Sequence, residues 1–243
     1  MLQKYSGDYR IPSSDTDINS TLRPSAFLNL AQEAANINAQ DMGFGYDELR
    51  EANTAWILSR VHVIFHKLPK WRDQINIQSW HKGQKSLFYL RDFIVTNPEG
   101  EKLISSTTSW LVLNLETRRL VRNSAVADKL AESINEDVIE EMAPKVQAPK
   151  DIEPVLAMEH KVVYSDLDVN QHVNNVMYTV WAMDAVGLEV TTQKPLKELK
   201  INFNNEIKPG DTVQIYKYEI SPEVFIIEGK VGDISSFIEE LVF

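Results

Sequence analysis

Apolar positions along the chain switch between two periods, and the switches mark out its elements. Phe27, Leu30, Ala31, Ala34, Asn38 and Met42 fall on one face of a helix that Gly43 stops. A second helical run covers 176–186, with Asn174 or Asn175 placed to cap its start and Gly187 to end it. After each helix the pattern becomes that of strands. The runs are 59–65, 74–80, 87–96 and 103–115 in the first half, and 198–203, 212–220, 224–231 and 236–243 in the second. Asn97-Pro98-Glu99-Gly100 is a turn between two of them. One long helix followed by an antiparallel meander predicts the α+β class, with the helix lying on one face of the sheet.

The polar residues that introduce each helix repeat with it. Asp15-Thr16-Asp17-Ile18-Asn19-Ser20-Thr21 matches Asp166-Leu167-Asp168-Val169-Asn170-Gln171-His172 position for position, 151 residues on. Further along, Val63-Ile64-Phe65 followed by Lys70-Trp71-Arg72-Asp73 matches Ile201-Asn202-Phe203 followed by Lys208-Pro209-Gly210-Asp211. Aligning Asp73 with Asp211 sets Leu68 against Glu206. The first copy carries an insertion after its helix, 44–56. Between the copies, 123–159 is acidic and holds Pro144, Pro149 and Pro154. A short helix is expected over 126–142 and a linker in the Pro-spaced tail. The domains expected are 1–150, with the linker from about 123, and 151–243.

Composition narrows the function classes. The chain is 43% hydrophobic and 25% charged, as an ordinary soluble globular protein is. No apolar run approaches the roughly 20 residues of a membrane span. The first residues lack the apolar core of a secretion signal and the Arg/Ser-rich character of a transit peptide, so a cytoplasmic location is expected. There is no cysteine, which removes disulfides, thiolate metal sites and any thiol nucleophile. A net charge of −10 argues against a general nucleic-acid binder. Yet 59–122 holds eleven Lys and Arg against five Asp and Glu. That segment is either a dock for an acidic partner or a set of solvated strand faces.

The Asp-x-Asp-x-Asn pattern invites a calcium-loop reading, which needs Gly at its sixth position and Glu at its twelfth. Here those positions are Gln171 and Met177, or Ser20 and Ala26 in the first copy, so calcium does not fit. In an extended segment Asp168, Asn170 and His172 would project to one side. A lone histidine is usually a core or capping residue, but the repeat supplies a control. Both copies keep the two Asp and the Asn, whose side chains tie down a turn. Only the second has His172, where the first has Thr21. A carbonyl held at the following helix start would be polarised by its N–H groups and by the Asn170 amide. Asp168 or His172 then activates a water as general base. Glu206 either orients His172, shares the base role, or is an exposed charge before the Lys208-Pro209-Gly210 turn.

These residues resemble a family. Asp168-x-Asn170-x-His172, then Val173-Asn174-Asn175, an aromatic-rich helix, and Glu206 ahead of Gly210-Asp211 look like the acyl-acyl carrier protein thioesterases. Those are plant plastid enzymes and bacterial relatives built as two tandem hotdog domains. The resemblance covers nearly the whole chain. It implies a double hotdog, each half a long helix on an antiparallel sheet, with Asp168, Asn170 and His172 at the catalytic motif and Glu206 at a further acidic position. Some relatives have a Cys beside that Glu; here the residue is Ile207. The implied reaction is hydrolysis of the thioester joining a fatty acyl chain to the phosphopantetheine of acyl carrier protein. The first domain would hold the chain, with Phe27, Leu30, Ile57 and Trp110 as candidate lining. The basic segment would dock the acidic carrier. No metal or organic cofactor is implied, nor a membrane or nucleic-acid partner. Two fused hotdogs leave both a monomer and a homodimer open.

Three other readings compete. A hotdog enoyl-thioester hydratase uses Asp-x-Asn-Pro-x-His, one residue longer than the spacing here and with Pro where Gln171 stands. A thioesterase preferring coenzyme A esters would share the motif. An inactive lipid- or carrier-binding module is opposed by the second copy, which keeps the histidine that the first lacks.

Overall fold

Both long helices end at the expected glycines, and the second begins at the expected cap. The structure, a computed structural model, describes residues 4–121 and 133–243. The chain divides into two compact units, Met1–Ala143 and Pro144–Phe243. In the first, helix α1 (Pro24–Asp41) opens with a proline, whose missing N–H costs nothing in a first turn. It buries Phe27, Ala31, Ala34, Ala35 and Asn38. Gly43, at φ 72°, follows its end. A short helix α2 (Tyr46–Glu51) fills the expected insertion. The strands are β1 (Tyr5–Arg10), β2 (Thr54–Phe65), β3 (Gln74–Lys85), β4 (Phe88–Thr96) and β5 (Lys102–Asn114). All pairings are antiparallel, in the order β1-β3-β4-β5-β2.

The second unit repeats the plan with β6 (Val155–Lys161), helix α3 (Asn175–Val186), the short α4 (Leu188–Thr191), β7 (Glu198–Phe203), β8 (Thr212–Ser221), β9 (Val224–Val231) and β10 (Ile234–Val242). Its order, β6-β8-β9-β10-β7, matches the first strand for strand. Asn174 caps α3 through Val176 N–H, and Gly187 ends it at φ 99°, a backbone conformation that favours glycine. Beneath α3, Tyr178 stacks on Phe237 with centroids 4.8 Å apart, and Trp181 and Phe203 complete the cluster. Gly229 lies opposite Phe237, whose ring occupies the space a Cβ would need.

The connecting stretch is less loose than a linker. Most of the helix expected over 126–142 lies outside the described residues, and the described part, 133–142, is not helical. Its backbone is committed to the first sheet instead. Ile134 N–H donates to the His81 carbonyl, Val138 N–H to Asp92 Oδ2, and the Glu136 carbonyl accepts from Trp80 Nε1. Lys82 lies beneath, 3.2 Å from Asp92 and 3.1 Å from Asp137. Burial pushes the Asp92 carboxyl up, opposed by Thr107, Val138 N–H and Lys82. With α1 on one face and this strap on the other, β5 is buried from Leu103 to Ser109, hydroxyls included. The Pro-spaced tail does the same in the second unit. Val146 N–H donates to Asn202 Oδ1, and Val146 packs with Tyr218, Ile226 and Ile238. Among the described residues no helix is long and apolar enough to cross a membrane.

Candidate active site

The repeated motif is a tight loop in both units, closed by the same backbone hydrogen bonds. In the second unit Asp168 N–H donates to the His172 carbonyl (2.9 Å) and Gln171 N–H to the Asp168 carbonyl (3.0 Å), with Gln171 at φ 63°. Asn174 N–H donates to the Asp166 carbonyl (2.8 Å), and Val173 N–H reaches the Ile207 carbonyl (3.1 Å). The first unit copies each bond through Asp17 and Thr21, Ser20 and Asp17, Arg23 and Asp15, and Leu22 and Pro69, with Ser20 at φ 61°. Asp168, Asn170 and His172 therefore do not share one face of an extended segment. The chain turns back because the Asx side chains and the positive φ favour a turn. Lys208 N–H donates to Asp211 Oδ2 as Lys70 N–H does to Asp73, so Glu206 stands where Leu68 stands.

Against this common frame the side chains differ. Asp17 is fully engaged, accepting from Asn19 N–H (2.9 Å), Thr21 N–H (2.9 Å) and the Thr21 hydroxyl (2.8 Å). Asp168 Oδ1 accepts Asn170 N–H at 2.8 Å, but its Oδ2 meets only the Asn170 amide nitrogen, at 3.4 Å, among the described residues. His172, in place of Thr21, turns away to Glu206, with Nε2 and Oε2 3.6 Å apart. That is longer than a hydrogen bond and short enough for an ion pair. Both side chains are about a third exposed, at 34% and 33%, so water reaches them. The structure thus groups Asp168 with Asn170, and His172 with Glu206, on one loop and the strand end beside it.

The helix start offers less than its position suggests. Val176 N–H is taken by the Asn174 side chain and Met177 N–H by the Asn174 carbonyl. Sequence reasoning missed Tyr178, one turn into α3. Burial raises its hydroxyl's pKa, the charges of Glu206 and Asp168 add to the rise, and Ile207 N–H opposes it. It also missed the support below the loop, where buried Asp166 accepts from Val163 N–H (2.7 Å) and pairs with His160 Nε2 (2.8 Å). The repeat held the signal for both. At the same offset Tyr178 stands for Phe27, and His160 for Tyr9.

The first unit has a cavity of about 60 Å³ between α1 and its sheet. Ala35, Ala39, Phe44, Trp56 and Trp110 form its apolar walls, and His81, Tyr89 and Arg91 also line it. Of the four lining candidates from the sequence, Trp110 is there. Phe27 packs edge-on against Phe65 in the core instead, 6.1 Å between centroids, and Leu30 and Ile57 are not part of the lining. Two members of the basic segment are unavailable to a partner, because the side chains of Lys82 and Arg91 are buried; Arg122 lies outside the described residues. Among the described residues no three His, Asp or Glu side chains converge as a metal site would require.

Comparison with known proteins gives a consistent family. The model of the acyl-ACP thioesterase N-terminal domain matches residues 2–134, and that of the C-terminal domain matches 149–233. The chloroplastic oleoyl-acyl carrier protein thioesterase 2 of Arabidopsis thaliana is 28% identical over 229 residues, covering 86% of this chain and 61% of its own. The chloroplastic oleoyl-acyl carrier protein thioesterase of Coriandrum sativum is 26% identical over 242 residues, covering 90% and 63%. The chain therefore spans less than two thirds of the length of these relatives. An acyl-ACP thioesterase structure from Bacteroides thetaiotaomicron matches with a TM-score of 0.83 at 24% identity, over 99% of this chain and 97% of that one. The 12:0-ACP thioesterase from Umbellularia californica gives 0.88 at 21%, over 98% and 96%. At such identities the likeness establishes the fold.

Proposed function

Because the chain belongs to the acyl-ACP thioesterase family, we propose that it hydrolyses fatty acyl thioesters of acyl carrier protein and releases the free acid. One observation carries the chemistry. On a loop whose backbone hydrogen bonds are duplicated, the second copy alone pairs a histidine with a carboxylate, His172 with Glu206. His172 takes a proton from water, and Glu206 stabilises the imidazolium that forms. The hydroxide attacks the thioester carbonyl. Asp168 anchors Asn170 through both its backbone N–H and its amide. The amide's remaining N–H is then free to stabilise the oxyanion. Collapse of the tetrahedral intermediate expels the phosphopantetheine thiolate, which takes the proton back from His172. The apolar cavity of the first unit takes the acyl chain, and the exposed Lys70, Arg72, Lys85, Arg118 and Arg119 are the candidates for docking an acidic carrier.

A second reading has its own support. Asp168 Oδ2 lacks the hydroxyl bond that Asp17 has, and a less engaged carboxylate oxygen is the one that would attack the thioester directly. Direct attack forms a mixed anhydride with Asp168 and expels the thiolate, so rapid quenching of a single turnover into hydroxylamine should trap the acyl-enzyme, whereas attack by activated water forms no covalent intermediate to trap. The reaction itself is tested by assaying acyl-ACP and acyl-CoA in parallel. His172→Ala should lower kcat by about 10²–10⁴-fold, the usual contribution of a general base. Thiol release that survives both His172→Ala and Asp168→Asn would remove the assigned site. Faster turnover of the CoA ester would reassign the carrier.

A further inference from the structure

The cavity of the first unit is not lined as a plain hydrocarbon chain requires. Arg91 lies under α1 with 6% of its surface exposed. Its Nη1 donates to Asn38 Oδ1 (2.8 Å) and to Ser79 Oγ (3.0 Å). A guanidinium has five N–H donors, so others remain to face the cavity it lines. Directly opposite on the neighbouring strand is His81, 4% exposed, which lines the same cavity. Its Nε2 is buried and has no protein partner among the described residues. The Leu90 carbonyl interacts with the ring as an acceptor, which places the proton on Nδ1 and leaves Nε2 as a bare lone pair. Burial beside Arg91 holds the imidazole neutral, its pKa pushed down to about 4.

The two groups are complementary and adjacent. Residues directly opposite on paired strands have Cβ atoms about 5 Å apart, close enough for one small group to meet both. Nε2 requires a donor and the guanidinium requires an acceptor. A hydroxyl is both at once. An oxo group satisfies Arg91 and leaves Nε2 unmet, and a methylene satisfies neither.

We propose that this cavity selects acyl chains bearing a hydroxyl group, which donates to His81 Nε2 and accepts from Arg91. The inference rests on the thioesterase reading and names its substrate class. No covalent step is involved, so the expected effect is one of discrimination. A buried polar group left unpaired typically costs a factor of ten or more in binding.

The test uses the full chain and acyl-ACP substrates of one chain length: unsubstituted, oxo, and a series with the hydroxyl moved along the chain. At least one hydroxylated substrate should exceed the unsubstituted one in kcat/KM by about tenfold, equivalent to about 1.4 kcal/mol. His81→Phe should abolish that ratio, and His81→Gln, which keeps an acceptor, should restore part of it. A ratio cancels any general loss of folded enzyme. Ratios within twofold at every position, or a ratio unchanged in His81→Phe, overturn the proposal. Calorimetric binding of the free hydroxy acids and the unsubstituted acid to the same protein gives a readout independent of turnover. If no thioester is hydrolysed, the thioesterase reading fails. Calorimetry then decides the cavity separately, with tenfold tighter binding of one hydroxy acid supporting it and equal affinity overturning it.

Discussion

Glu239 of β10 is completely buried, and Thr179 of α3 donates its hydroxyl to it at 3.0 Å. Its strand neighbours across the sheet are Ile201 and Ile227, which offer a charge nothing. Burial pushes its carboxyl from 4.5 up to about 8, and Thr179 only tempers the rise. Below about pH 4.5 the folded and unfolded chains both carry the proton. Between 4.5 and 8 the unfolded chain releases it while the folded chain keeps it, so each rise in pH favours unfolding. Above 8 both are ionised and the loss is complete. At about 1.4 kcal/mol per pH unit, the loss across this window is about 5 kcal/mol. Glu239→Gln cannot ionise, so it should remove this slope. Its unpaired amide adds a pH-independent cost of about 1–3 kcal/mol. Urea unfolding from pH 5 to 9, with hydrogen exchange of β10 and α3 amides reporting the second unit, gives the wild-type minus variant difference. The difference should fall by several kcal/mol between pH 5 and 8 and then level. A difference that stays constant with pH refutes the buried neutral carboxyl.

Three further outcomes follow from the second unit. Gly229→Ala drives a Cβ into the Phe237 ring, which is stacked on Tyr178, so overpacking should cost about 1–3 kcal/mol in urea unfolding. Activity should fall further than stability, because the displaced ring pushes on a residue behind the loop. Tyr178→Phe leaves Ile207 N–H facing a ring edge and should lower stability by about 1 kcal/mol; unchanged unfolding would mean that this N–H finds another partner. Asn174→Ala removes the cap on Val176 N–H and should cost about 1 kcal/mol, read by the same unfolding curves.

Helices and central strands were legible because their apolar period is strong, and Gly43 and Gly187 ended the helices as expected. Strands β1 and β6 were not, because they lie at sheet edges. In β1 only alternate positions are partly covered, so Ser6, Asp8 and Arg10 read as a polar approach to the motif. The strap over 133–142 was invisible for a different reason. It is held by backbone groups and by Lys82, Trp80 and Asp92, which on their own strands read as surface residues. Glu206 could be singled out only by aligning Asp73 with Asp211 and by the family resemblance, since nothing local separates it from a strand-end charge. Tyr178 was hidden inside an aromatic helix where any ring reads as core. His81 and Arg91 escaped because a cationic segment suggests solvent, whereas α1 covers both.

The two copies have diverged in opposite physical directions. In the first, the loop's central carboxylate is engaged within the scaffold. Asp17 is saturated by Thr21, Pro69 carries no N–H where Ile207 has one, and Phe27 has no hydroxyl where Tyr178 does. In the second, His172, Glu206, Tyr178 and the Ile207 N–H each add a polar group at the same spot, where the duplicated frame has no use for them. Packing shows the reverse. The second unit places Trp181 and Phe237 where the first has Leu30 and Ile104, the latter pair matched through Phe203 and Phe65. Ala35 and Ala39 of α1, which line the first unit's cavity, stand where the second unit has the larger Val186 and Val190. The loop keeps its shape through backbone bonds that do not depend on His172 or Glu206. The divergence needs no new fold, only loss of volume in one core and gain of polar side chains at the other's loop.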